Sequence, residues 1–279
     1  MSLKLFGLFS CILALPALAT PQLELLWQTK DLRIPESVLH SAIADEQTLF
    51  VSEIEGKSNE ADGQGGIALF NVDGSVRQHN WLRGLNAPKG LASFQGKLYV
   101  ADLTELVVID INTAKVLEKI SAPDSVFLND VAVDPQGIVY VSDTRKNRLY
   151  RLQQNKLNPW LEDVEAANGL TFVGNQLYIA AGDKLFNADD QGKLTIIAQG
   201  FAERADGVEP VGNGDFIVSC WAGLVYYVHA DGKLDLLLDN RPHTLNTADI
   251  GWDSAKQILY VPTFLGNSVQ AYQLKHPKG

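Results

Sequence analysis

Asn129, Asn168 and Asp206 stand 10, 9 and 10 residues ahead of three copies of one apolar motif, at 139–143, 177–181 and 216–220. Glu36 stands 13 residues ahead of a fourth copy, at 49–53. Matched spacing from a repeated element makes the first three equivalent in position, and a slightly longer entry brings Glu36 to the same ring. Four oxygen-bearing side chains converging this way suit a hard divalent cation, calcium first among candidates, whose ligands are carboxylates, amide carbonyls and waters. Two carboxylates match the charge of such an ion, and two asparagines leave room for water or a substrate oxygen. The chain has no Cys/His cluster of the kind zinc selects. Asn-Asp, Asn-Gly and Asp-Gly are also common turn dipeptides, so on spacing alone simple chain bends account for them equally well.

The elements that would position these residues follow from the repeat. The motif recurs at 49–53, 98–102, 139–143, 177–181, 216–220 and 259–263, with starts separated by 49, 41, 38, 39 and 43 residues. A period near 40 with only β patterning inside it marks β-propeller blades. We take the motif as strand B of each blade. Strands A precede it, at 90–93, 131–134, 170–173 and 250–253. Strands C follow, and outer strands D come after turns such as Asp73-Gly74 and Asp231-Gly232, where glycine accepts positive φ. The chain is therefore expected to be an all-β, six-bladed β-propeller forming a single domain over residues 20–279. The sixth copy ends at Leu274 without a strand D, while the pattern from Leu23 to Thr29 is unused. That N-terminal strand is expected to close blade six, since an open ring leaves unpaired edges. The first interval is lengthened by the stretch from Glu55 to Gly66, either a tolerated surface insertion or a glycine-hinged flap over the ligand face.

Other residues reach the same face. Lys89 and Asp249 enter from blades two and six. Lys89 is expected to extend into solvent rather than pair with a ring carboxylate. His243 lies in the connection before blade six, and Trp221 and Phe264 lie in B–C connections, where an aromatic platform would serve a substrate pocket.

Residues 1–19 combine Lys4, an apolar run from Leu5 to Leu15 and Pro16-Ala17-Leu18-Ala19, which reads as a signal peptide cut after Ala19. The run is shorter than the ~18 apolar residues of a membrane span. The whole chain holds 23 basic and 33 acidic residues; without Lys4 the balance is 22 to 33, a formal charge of −11. Such a surface argues against nucleic acid and anionic membranes as partners. Cleavage leaves Cys220 as the lone cysteine, expected as a buried small hydrophobe, so no internal disulfide forms. A periplasmic or secreted location fits these features.

Glu36 in E-S-V-L-H, Asn129 in L-N-D-V-A-V-D-P-Q-G, Asn168 in N-G-L and Asp206 in A-D-G-V resemble motifs of the regucalcin/gluconolactonase family, with more distant similarity to paraoxonases and NHL-type propellers. The resemblance runs from about Pro35 to the end. It implies one central divalent metal held by Glu36, Asn168 and Asp206, with Asn129 beside it, and hydrolysis of a lactone or related ester. Asp206 is then the candidate catalytic base, accepting a proton from the attacking water. His40 and His243 are alternative proton carriers on the paraoxonase pattern, though each is expected to be an ordinary surface or turn histidine. Where sugar-lactone members carry an arginine two residues before the blade-three asparagine, this chain has Phe127, which argues against a sugar-acid substrate. The reading that competes with a small-molecule hydrolase is a non-catalytic propeller that binds a ligand or protein on the same face, with its metal structural or absent.

Overall fold

The computed structural model describes residues 20–43 and 46–276, so the segment read as a signal peptide lies outside the described residues. Within them the strands pair into six four-stranded antiparallel sheets. Blade one is typical, with Pro35–Ile43, Glu46–Glu53, Gly65–Phe70 and Val76–Leu85 as its strands A to D. Blade six is composite: Gly251–Asp253, Ile258–Pro262 and Val269–Lys275 are joined at the outer edge by Gln22–Thr29. That strand pairs from Gln22 with Lys275 to Thr29 with Val269. The chain is thus an all-β, six-bladed propeller closed by its N-terminal strand, as its repeat implied. Trp27 ties the closure to blade one, its indole N–H donating to the Val72 carbonyl at 3.2 Å.

Each blade is sandwiched between two others, which explains why strand B is apolar on nearly every residue. Both of its faces are covered, and all five residues of Val139–Asp143 are buried. The hydrophobic core is accordingly divided into layers, one in each of the six interblade spaces. Cys220 belongs to the layer between blades four and five, and its thiol is pushed up to about 12 by burial.

In blades two, three and four strands A begin earlier than the apolar pattern suggested, at Pro88, Leu128 and Ala167, and in blade five strand A begins at Ala205. The pattern breaks because each contains a β-bulge. In blade three Leu128 pairs with Asp143 and Val131 with Val141, so Asn129 and Asp130 together oppose Ser142. The same slip follows Pro35, Pro88, Ala167 and Ala205. A bulge leaves one N–H without a ladder partner. In three blades the serine of the strand-B motif takes it: Ser52, Ser142 and Ser219 accept from the N–H of Ser37, Asp130 and Gly207, each at 2.9 Å.

The acid that ends the motif holds the chain just ahead of the bulge. Glu53 accepts from the Arg33 N–H at 2.8 Å, and Asp102 accepts from the Asn86 and Ala87 N–H groups at 2.9 and 2.8 Å. Asp143 does the same for Val126 and Phe127 at 2.7 and 3.2 Å. Neighbouring bulges pack so closely that a Cβ on Gly169 would lie 2.1 Å from the Asp206 carbonyl oxygen. Replacing Ser142 with alanine strands the buried Asp130 N–H at a cost of about 2 kcal/mol. Thermal unfolding should show Tm lower by about 4–8 °C, whereas an unchanged Tm would mean that the hydroxyl does not hold the bulge.

Candidate functional site

The bulge turns the first residue of each slipped pair toward the channel. Glu36, Lys89, Asn129, Asn168 and Asp206 consequently line one cavity of about 510 Å³ on the face where the B–C and D–A connections meet. All five stand at the same register position, immediately after the residue that opens strand A. Trp221 and Phe264 form an apolar wall, their rings edge to face with centroids 5.6 Å apart. Ser58, from the long B–C connection of blade one, also reaches the mouth.

Two of the expected pocket residues sit elsewhere. Asp249 takes the corresponding place in blade six, its N–H donating to the Glu36 carbonyl at 2.9 Å, but its side chain does not line the cavity. Instead the Ser37 hydroxyl donates to Asp249 Oδ2 at 2.6 Å, drawing the carboxylate against blade one. His243 ends the 3-10 helix Arg241–His243, which carries the chain out into solvent before it re-enters at Asn246, so the ring is exposed. His40 likewise stands apart, facing blade six with Nε2 3.7 Å from Asp253 Oδ2. Lys89, expected in solvent, is instead 1 % exposed. Its ammonium donates to the Ala87 carbonyl at 2.8 Å and lies 4.3 Å from the centre of the Phe127 ring, a cation–π contact that offsets part of its lost hydration.

The two amides are oriented. Asn129 Nδ2 donates to Thr144 Oγ1 at 2.9 Å, and that hydroxyl donates to the Ala167 carbonyl at 2.8 Å. Asn168 Nδ2 donates to Asp206 Oδ1 at 2.9 Å. With their NH₂ ends engaged by protein, both present carbonyl oxygens as free acceptors. Glu36 Oε2 is buried and has no hydrogen-bond partner.

Charge is crowded here. Burial raises the Glu36 carboxyl well above its usual range, and Asp206 and Asp249 push it further. Asp206 is pushed up to about 8 and Asp249 to about 7, burial being the main cause in each. Asp130, whose Oδ2 accepts the Leu170 N–H across the blade boundary at 2.6 Å, is raised well above its usual range by burial and by Asp249. Lys89 is lowered to about 8, mainly by burial, with Glu36 acting in the opposite sense.

Two carboxylates and two amide oxygens form the donor chemistry of a hard cation, and the orphaned Glu36 oxygen fits that role. No trio of His, Cys, Asp or Glu side chains groups into a ready metal cage among the described residues, so the fit depends on the asparagines. No histidine or cysteine lines the cavity.

Thr144, Arg145 and Arg204 went unnoticed in the sequence, although Arg204 was within reach. It stands two residues ahead of Asp206, as Phe127 stands ahead of Asn129 and Ala166 ahead of Asn168, and all three line the mouth.

No family model and no curated protein sequence matches this chain. Solved structures do. A gluconolactonase of Xanthomonas campestris superposes with a TM-score of 0.67 at 19% identity, covering 92% of this chain and 91% of that one. Virginiamycin B lyase of Staphylococcus aureus gives 0.66 at 11% identity, with 92% and 100% covered. A luciferin-regenerating enzyme gives 0.63 at 14% identity, with 93% and 98% covered. The chain shares their fold. What this propeller does rests on its own cavity.

The buried acids set a pH dependence. With no cation present, Asp206 and Asp249 keep their protons in the fold up to about 8 and 7, but lose them near their ordinary value of 3.8 when unfolded. Between those limits the folded state binds more protons, so stability falls as pH rises. In chelator, Tm should decline by several degrees from about pH 5 to about pH 8. Asp206→Asn and Asp249→Asn should each flatten the decline, and a level wild-type profile would refute the crowding.

Proposed function

We propose that this propeller is an exported hydrolase of a lactone or related ester, using a divalent cation, calcium first among candidates, held by Glu36, Asn129, Asn168 and Asp206. The observation that carries the reading is the unpartnered, buried oxygen of Glu36, a residue that lines the cavity beside two asparagines whose NH₂ ends are engaged and whose carbonyl oxygens are left free to accept. The bound cation would supply Lewis acidity to a substrate carbonyl and stabilise the developing oxyanion.

The protein's own groups do the rest. Asp206 has Oδ1 fixed by Asn168 and no hydrogen bond on Oδ2 among the described residues, which leaves that oxygen to take a proton from an attacking water. Thr144 holds the Asn129 amide in one orientation, so that carbonyl is placed before a ligand arrives. Trp221 and Phe264 offer a platform for the apolar body of a ring and exclude water from one side. The gluconolactonase and luciferin-regenerating enzyme among the structural neighbours support small-molecule chemistry on this fold. The signal-peptide pattern of residues 1–19 supports export to a periplasm or beyond.

The test is a panel of γ-lactones, δ-lactones and aryl esters assayed with and without chelator. Turnover should disappear in chelator and return with calcium. Asp206→Asn should lower kcat/KM by about 100-fold or more, the scale of a lost general base. Turnover that ignores the chelator would remove the cation from the reaction. A calcium-loaded protein that turns over nothing in the panel would assign the cavity to binding alone.

A further inference from the structure

The cavity continues past the Phe127 ring. A second hollow of about 430 Å³ adjoins it and shares Phe127, Thr144, Ala166 and Arg204 with the first. Its edge carries two guanidinium groups, Arg145 from the B–C connection of blade three and Arg204 from the entry to blade five. Arg145 lies 4.2 Å from the centre of the Phe127 ring, which also carries the Lys89 ammonium at 4.3 Å.

These arginines differ from others on the surface. Of the other arginines, Arg33, Arg77, Arg83, Arg148 and Arg241 are each paired with a carboxylate, and Arg151, far from the cavity, lies 5.9 Å from the centre of the Trp160 ring. Among the described residues neither the Arg145 nor the Arg204 guanidinium has a carboxylate oxygen within 4.0 Å, although the chain holds 33 acids against 23 bases and Asp143 accepts the Arg145 backbone N–H at 3.2 Å. Glu165 borders the hollow as an exposed side chain without reaching either of them. Two free guanidiniums at one edge of a cavity, on a protein with acids in excess, form a local positive field beside an acidic floor.

We infer that the hollow is a subsite for a carboxylate carried by the ligand, whose apolar part passes over Phe127 toward the cavity floor. A guanidinium presents paired N–H donors that match the two oxygens of a carboxylate, and two such groups at one lip favour that anion over a neutral polar group. Among the crowded acids of the floor a further anion gains less than at this lip, so the ligand is oriented with its anionic end out and its neutral, reactive end in. The inference takes the 510 Å³ cavity as the ligand site, as the hydrolase reading does, but requires no turnover.

The probes are 3-phenylpropionate and 3-phenylpropionamide, titrated separately in low salt with chelator present so that no cation recruits the carboxylate to the floor. The acid should bind about tenfold more tightly than the amide, the scale of a charge-assisted hydrogen bond. Arg145→Gln and Arg204→Gln should each shrink the preference, and the double variant should abolish it while leaving amide affinity unchanged. Both side chains are exposed, so the variants should fold. Added salt should also shrink the preference. Equal affinities, a preference that survives both replacements, or no binding of either probe would overturn the subsite. A preference that depends on both arginines, in a protein that hydrolyses no lactone or ester, would sustain the subsite and dismiss the hydrolase.

Discussion

The structure depends on one local irregularity, the two-residue bulge near the start of strand A. A regular strand would lay its side chains against the adjoining blades. The slip instead rotates one side chain per blade toward the axis, at a place where five blades present Glu36, Lys89, Asn129, Asn168 and Asp206. Its N–H groups have no ladder partner, and a buried N–H without an acceptor is costly. The Ser-acid ending of the strand-B motif answers both needs in blades one and three. Ser52 and Ser142 accept the bulge N–H, while Glu53 and Asp143 hold the entering chain. Residues that recur for the sake of the scaffold thereby set the geometry of the site.

The second constraint is electrostatic. Glu36, Asp130, Asp206 and Asp249 share the channel region with one buried ammonium, Lys89, and their mutual repulsion adds to the penalty of burial. Part of this is met by hydrogen bonds that cross from blade to blade, such as Ser37 to Asp249 and Leu170 N–H to Asp130. The unpartnered Glu36 oxygen is not met by any of them. Protons or a bound cation are the two ways to balance such a cluster, and the acceptor ends of Asn129 and Asn168 favour the cation. Against this excess of acid the two arginines at the mouth stand out, since among the described residues neither guanidinium is paired with a carboxylate.

Much of this was legible in the sequence, for identifiable reasons. The apolar strand B repeats because both of its faces are always buried, so period and blade count could be read directly. The unused strand at 23–29 could go only to the open edge of blade six. Offsets from that repeat also located the channel residues, because the bulge occupies the same register in each blade. What was not legible depended on side-chain direction. Lys89 lies in the ring rather than in solvent because Phe127 and the Ala87 carbonyl receive it. His243 is lost to a 3-10 excursion, and Asp249 is drawn aside by Ser37, a contact between residues 212 apart in the chain. Apolar alternation also placed strands A of blades two, three and four too late, since a bulge breaks the period-2 pattern on which such a reading depends.

The fold shared with a gluconolactonase, a virginiamycin B lyase and a luciferin-regenerating enzyme hosts several chemistries, so the function of this propeller must be argued from its site. The central claim is that the bulge-borne ring binds one hard cation. Calorimetric titration of chelator-stripped protein with calcium measures this directly. One ion per chain should bind, with Glu36→Gln and Asp206→Asn each weakening it by about tenfold or more. Absence of binding, or binding that survives both substitutions together, would contradict it.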